Sequence, residues 1–209
     1  MIPDRLASAA ALHRLGRLAA ALWRDLQMRV AILGVRLSSD RTALDALLQG
    51  EELPGEWVQR REWRWPVGLT RDSDAARRAR RAKLVAAARQ FELVGTETWV
   101  TVSAVPMASA EDAEYSLETV WEPPWVHPGA LTQADVEVSP PTAAGEHARA
   151  FLVNTTHENG PRRTLFYVVW HEAEAVLFAI ALAAPTEYDL LAAMSMLIEV
   201  QRNGAANGR

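Results

Sequence analysis

An α+β fold, with an antiparallel sheet of about five or six strands packed by helices, is predicted by three observations. Ala148 to Thr155, Arg163 to His171 and Ala173 to Ala183 are consecutive strand-length runs rich in Val, Leu, Phe and Tyr, and the Asn159-Gly160 pair in HENGP suits a tight hairpin turn between the first two. Both parities of the middle run are apolar, Leu165, Tyr167 and Val169 on one side and Phe166, Val168 and Trp170 on the other, so that strand is expected to be covered on both faces. Behind the meander, Thr186 with Asp189 three residues on caps a final helix through Leu190, Leu191, Met194, Leu197, Ile198 and Gln201. The chain has 209 residues, 49% of them hydrophobic, and a chain of this size buries roughly 70% of its unfolded surface without disulfides or metal.

From the start, Leu15, Leu18, Leu22 and Leu26 step by three and four toward Val30 and Leu33 with Arg14, Arg17, Arg24 and Arg29 in other sectors, predicting a long amphipathic N-terminal helix. Ser38, Ser39 and Asp40 precede a short helix in RTALDALLQG, with Gly50 placed to end it in the left-handed conformation. In WVQRREWRWPV, Trp57, Trp63 and Trp65 share one parity, a strand with three indoles on one face, which Pro66 ends or confines to an edge. Ser73 or Asp74 caps a helix carrying Arg77, Arg78, Arg80, Arg81 and Lys83, solvated at its start and docked at its end by Leu84, Val85, Ala88 and Phe91. Thr96 to Val105 alternates as a strand, and Ser109 with Asp112 opens a helix toward Trp121. EPPWVHPGALTQ is a loop in which Trp125 either packs back or is exposed for contact. The organisation expected is an arm at 1–37, a domain at 38–202 and a tail at 203–209.

Charge is segregated along the chain. Arg71 to Arg89 holds seven basic residues against Asp72 and Asp74, while Glu92 to His147 holds ten acidic residues and neither Lys nor Arg. Cations near a helix N-terminus oppose its dipole, and the acidic stretch is the intramolecular group that would ease them. Lys83 is the single lysine among 22 cations, so the arginines reflect a compositional bias and not selection for phosphate. A pI near 5.8 argues against nucleic acid as the partner. Zero cysteines exclude a thiolate nucleophile, a Cys-bearing metal site and a lipidated cysteine. Arg5, His13, Arg14 and Arg17 interrupt the apolar stretches at the start, and the longest apolar run, Ala175 to Pro185, is about half of a bilayer span. The expectation is a cytoplasmic protein with no transmembrane segment.

Nucleotide-binding glycine loops, the G-x-S-x-G nucleophile elbow and H-E-x-x-H are all absent from the sequence. Of the histidines, His171 stands beside Glu172 and Glu174, but neighbours in a strand point to opposite faces, and HEAEA reads better as a polar turn than as an acid–base site. His127, His157 and His171 would suffice in number for a metal, yet nothing in their spacing requires one, so no metal and no cofactor is expected.

The combination of ELPGEW (Glu52 to Trp57), VVWHEAEAVLFAIALA (Val168 to Ala183) and the closing helix resembles the small PsbP/Mog1-type α+β domains of actinobacterial sensor and lipoprotein-like proteins. The likeness spans Leu44 to Arg202 and implies a non-catalytic binding or adaptor role, with no catalytic residues to carry over. Exported members of that group carry a signal peptide or lipidation cysteine, and neither is seen here. The function expected is therefore a non-enzymatic interaction or accessory module that binds a protein partner or a second copy of itself. Its contact candidates are Leu15, Leu18 and Leu22, the loop residues Trp121 and Trp125, and Arg77, Arg78, Arg80 and Arg81. Three rival readings are a sensor for a small apolar ligand, its pocket lined by Trp63, Trp99 or Phe166; an enzyme using His127, His157 or His171 with Glu172; and binding of an anionic polymer or membrane through Arg77, Arg78, Arg80 and Arg81.

Overall fold

The computed structural model describes residues 42–68, 73–119, 132–156, 163–171, 175–184 and 190–206, all within one compact unit, Asp40–Arg209. A short helix α1 (Thr42–Asp45) leads through a 3-10 turn (Gly50–Glu52) to β1 (Trp57–Pro66), α2 (Asp74–Arg81), β2 (Val85–Leu93), β3 (Trp99–Pro106) and α3 (Ala110–Thr119). There follow β4 (Thr132–Val138), a second 3-10 turn (Thr142–Ala144), β5 (Ala148–Thr156), β6 (Arg163–His171), β7 (Val176–Ala184) and α4 (Leu190–Ala206). The seven strands form one sheet in the order β1-β2-β3-β7-β6-β5-β4, with every neighbouring pair antiparallel. Two meanders, β1-β2-β3 and β4-β5-β6-β7, are thus joined along β3 and β7. The chain passes from the centre of the sheet at β3 to its far edge at β4 by way of α3, which packs on β6 and β7.

The sheet has seven strands where five or six were expected; the two that were not read as strands are β4, which begins at Thr132 inside the expected loop, and β2, which comes from a helix that stops early. Ser73 caps α2, its hydroxyl accepting from the Ala76 N–H at 3.1 Å. The helix ends at Arg81, after which Lys83 adopts a left-handed φ of 55°. Leu84, Val85, Ala88 and Phe91 belong not to a docked helix end but to the turn and to β2, paired on both sides by β1 and β3. Ala86, Ala87 and Ala88 are fully buried in it. Alanine favours a helix in isolation, but its small side chain also lets elements approach both faces of a central strand, and tertiary packing prevails over propensity. In the turn after β1, Gly68 is closely approached by α2: its φ is 81°, and a Cβ there would fall inside contact distance of the Ala76 carbonyl.

Two further expectations are corrected. Gly50 does not end a helix in the left-handed conformation; α1 stops at Asp45, and Gly50 begins the 3-10 turn. The three indoles of β1 do not share a face, because the ladder shifts register between Gln59 and Arg61. An inserted residue reverses the parity of everything after it. Trp57 consequently packs with the first core, whereas Trp65 packs with Val67, Ala79 and Ala86 on the opposite face.

Each face of the sheet has its own core, as the two apolar parities of β6 imply. On one, Phe166, Val168 and Trp170 join Phe91, Val102, Ile180 and Leu182 under Leu44, Leu47 and Leu48 from the α1 segment and Met194, Leu197 and Ile198 from α4. Trp170 stacks on Phe178 at 5.7 Å between centroids. Gln201 locks this layer: its side chain accepts from Leu48 N–H at 2.9 Å and donates to the Ala46 carbonyl at 2.6 Å. Buried Arg89 donates to the carbonyls of Leu47 and Leu48 and pairs with Glu62 at 3.1 Å, so the α1 segment has its last carbonyls satisfied. On the second face, Leu165, Tyr167 and Val169 meet Phe151, Leu177 and Ala179 beneath Ala113 and Leu117 of α3. The final helix continues past residue 202, through Gly204 to Ala206. The helix expected at the N-terminus, with Leu15, Leu18 and Leu22, falls outside the described residues.

Candidate functional site

At the end of the sheet covered by α3, the strand register sets two histidines side by side. Ala148 of β5 stands opposite Trp170 of β6, so His147 and His171, one position further on each strand, flank that pair, and the His171 N–H donates to the His147 carbonyl at 3.3 Å. His171 shares the parity of Tyr167 and Val169, which places its ring on the α3 face. The two rings lie with centroids 4.9 Å apart and planes inclined at 36°.

Glu114 reaches both rings from α3. Its Oε2 is hydrogen-bonded to His171 Nε2 and lies 3.3 Å from His147 Nδ1. The candidate ligand atoms of Glu114, His147 and His171 all fall within 4.8 Å of one another. The site is graded in exposure: the His171 side chain is 10% exposed, Glu114 42% and His147 60%, so the cluster is anchored on one side and open to solvent on the other. The hydrogen bond with His171, helped by the charge of the two imidazoles, holds the Glu114 carboxyl below its ordinary value against the opposing effect of burial.

What fixes Glu114 is the anchoring of α3 at both ends. Ser109 caps its start, accepting from the Asp112 N–H at 3.1 Å. Asp112, its side chain 1% exposed, receives the Arg78 guanidinium through both carboxylate oxygens, with Nε at 2.9 and 3.1 Å. Arg78 keeps that carboxyl below its ordinary value. At the other end Arg149 of β5 donates to the last-turn carbonyls of Leu117 and Glu118 at 3.2 and 2.9 Å, which places a cation at the negative end of the helix. The same guanidinium grips Glu137 of β4 at 2.7 and 3.0 Å and lies 5.0 Å over the Phe151 ring. Glu114 is therefore presented from a helix tied to α2, β4 and β5.

The residues singled out in the sequence fare unevenly. Arg78 is committed to Asp112, Arg77 is paired with Asp74, and Arg80 donates to the Gly68 carbonyl, while Arg81 is exposed. Asp112 of the acidic stretch does pair with Arg78, but the expected conflict with the dipole is corrected: the helix stops at Arg81, so Arg78, Arg80 and Arg81 fall in its last turn, where cations are favoured, and Asp74 falls in its first. Trp121, Trp125, His127, His157 and Glu172 lie outside the described residues. Phe166 is in the core of one face and Trp99 packs against the core of the other, so the two do not line a common pocket. His171 takes part in the cluster, but its partners are Glu114 and His147, neither of which the sequence singled out. Their signal lies in the β5–β6 register and in the placement of α3, and neither can be read from residue spacing.

No protein family model matches the chain, and no curated protein does. Among solved structures it is similar to the extracellular domain of PknH from Mycobacterium tuberculosis, with a TM-score of 0.43 and 11% identity over 79% of this chain and 97% of that one. The expected cytoplasmic location is corrected on this point: the likeness is to an extracellular domain, and the cytoplasmic placement is withdrawn. Among the described residues no helix is long and apolar enough to cross a membrane.

Proposed function

We propose that this chain is a non-enzymatic binding module, accessory to a protein partner or a second copy of itself, whose ligand-engaging groups are Glu114, His147 and His171. The observation that carries the reading is the meeting of three coordinating side chains, from α3, the start of β5 and the end of β6, at one carboxylate oxygen on a braced and partly open surface. Glu114 Oε2 is shared by the two imidazoles, so the three donors converge on one point at which a ligand can be held. The likeness to PsbP/Mog1-type domains is kept as part of this proposal, since a braced sheet and a non-catalytic role suit it.

Native mass spectrometry of the purified chain tests the reading. The expected result is a retained extra mass or a multimer that disappears in the E114Q/H147Q/H171Q variant while its far-ultraviolet circular dichroism is unchanged. A bare single chain, identical in wild type and variant, would refute it.

A further inference from the structure

We propose that Glu114, His147 and His171 form a binding site for a borderline divalent transition-metal ion, with zinc as the representative. This names the ligand of the binding module and so rests on that reading. Two imidazole nitrogens with one carboxylate oxygen suit zinc and its neighbours, whereas magnesium and calcium take oxygen donors. Soft, thiolate-preferring ions are disfavoured by a chain with zero cysteines.

Geometry agrees with chemistry. Donors about 2.0–2.2 Å from a tetrahedral ion stand roughly 3.3–3.5 Å from one another. His147 Nδ1 and Glu114 Oε2 are 3.3 Å apart, and all three ligand atoms fall within 4.8 Å. Closing the set asks for side-chain rotation: His171 Nε2 and Glu114 Oε2, hydrogen-bonded to each other, part to admit the ion, and the exposed His147 turns toward it, while the backbones of the two histidines stay joined by their 3.3 Å hydrogen bond. Three protein donors leave a fourth position on the solvent side, open to water or to a side chain from a partner.

The surroundings also favour a cation. Helix α3 carries Glu111, Asp112, Glu114 and Glu118 and no basic residue, and Glu146 directly precedes His147. Arg78 is drawn to Asp112 and Arg149 to Glu137 and the helix carbonyls, so these two cations bonded to α3 already have partners of their own. Oriented ligands on a rigid scaffold lose little freedom when an ion binds, which distinguishes this cluster from a chance grouping of surface side chains.

The test uses the full chain stripped with a chelator and dialysed, titrated calorimetrically with zinc chloride and, for spectroscopy, with cobalt chloride. Zinc is expected to bind one ion per chain at the site, cobalt to show visible d–d absorption, and magnesium chloride to show neither effect. H147Q, at the exposed ligand, is expected to weaken zinc at least tenfold and abolish the cobalt spectrum with circular dichroism unchanged; E114Q should do the same. Zinc binding that survives both substitutions would place the ion elsewhere and overturn the proposal. Absence of zinc and cobalt binding would overturn it as well. In that event a mass or multimer lost in the triple variant would leave the binding-module reading standing, while a bare chain would remove both.

Discussion

Replacing Arg149 by methionine tests whether α3, and with it Glu114, is held as described. Methionine keeps an apolar stem over Phe151 and removes the guanidinium. Three contributions are lost. The Glu137 pair is bidentate, with contacts of 2.7 and 3.0 Å, but Glu137 is half exposed, so it contributes no more than about 1 kcal/mol. The charged donor at the Leu117 and Glu118 carbonyls ends α3 favourably and adds about 1 kcal/mol. Stacking over Phe151 at 5.0 Å adds about 0.5 kcal/mol. The expected loss is about 1.5–2.5 kcal/mol, read as a fall in the urea midpoint at constant slope. E137Q alone should cost about 1 kcal/mol or less, leaving the remainder to the helix and the ring. A loss below about 0.5 kcal/mol for R149M, or one fully reproduced by E137Q, would show that Arg149 does not brace α3.

Other regions of the chain give independent outcomes. Arg78 and Arg149 depress the carboxyls of Asp112 and Glu137 below their ordinary 3.8 and 4.5, so as pH falls the unfolded chain takes up protons first. The stability from these pairs is complete above about pH 5 and is lost as pH drops through the lowered native values; urea midpoints across that range should fall, less steeply in D112N. Lys83 sits at φ 55°, where a side chain costs roughly 1–2 kcal/mol and glycine does not, so Lys83→Gly should raise stability by about 0.5–1 kcal/mol after its entropy cost, measured by thermal melting. Gln201→Leu leaves Leu48 N–H and the Ala46 carbonyl without their buried partner and should cost about 3 kcal/mol by urea denaturation.

The parts of the fold legible in the sequence are those specified locally. The two apolar parities of β6 announced a strand covered on both faces, and Ser109 with Asp112 marked the start of α3, because alternation and capping depend on residues only a few positions apart. Where tertiary context decides, the reading failed. VAAARQFEL has helical composition, but β1 and β3 pair with it on either side and make it a strand. In β1 a single inserted residue sent Trp65 to the face opposite Trp57.

The site was hidden for the same reason. A two-residue Asn159-Gly160 turn would set Ala148 opposite His171; the ladder instead pairs Ala148 with Trp170 and Thr155 with Arg163. That one-residue difference brings His147 level with His171 on the α3 face. Glu114 then arrives from a helix that crosses β7 and β6 on its way to the far edge, a position set by topology.

The most direct test of the site is diffraction from crystals of the full chain grown with one equivalent of zinc, recorded on both sides of the zinc absorption edge. A single anomalous peak about 2.0–2.2 Å from Glu114 and from one ring nitrogen each of His147 and His171 is the expected result. No peak at these three side chains, or a peak bound by other residues, would contradict the account.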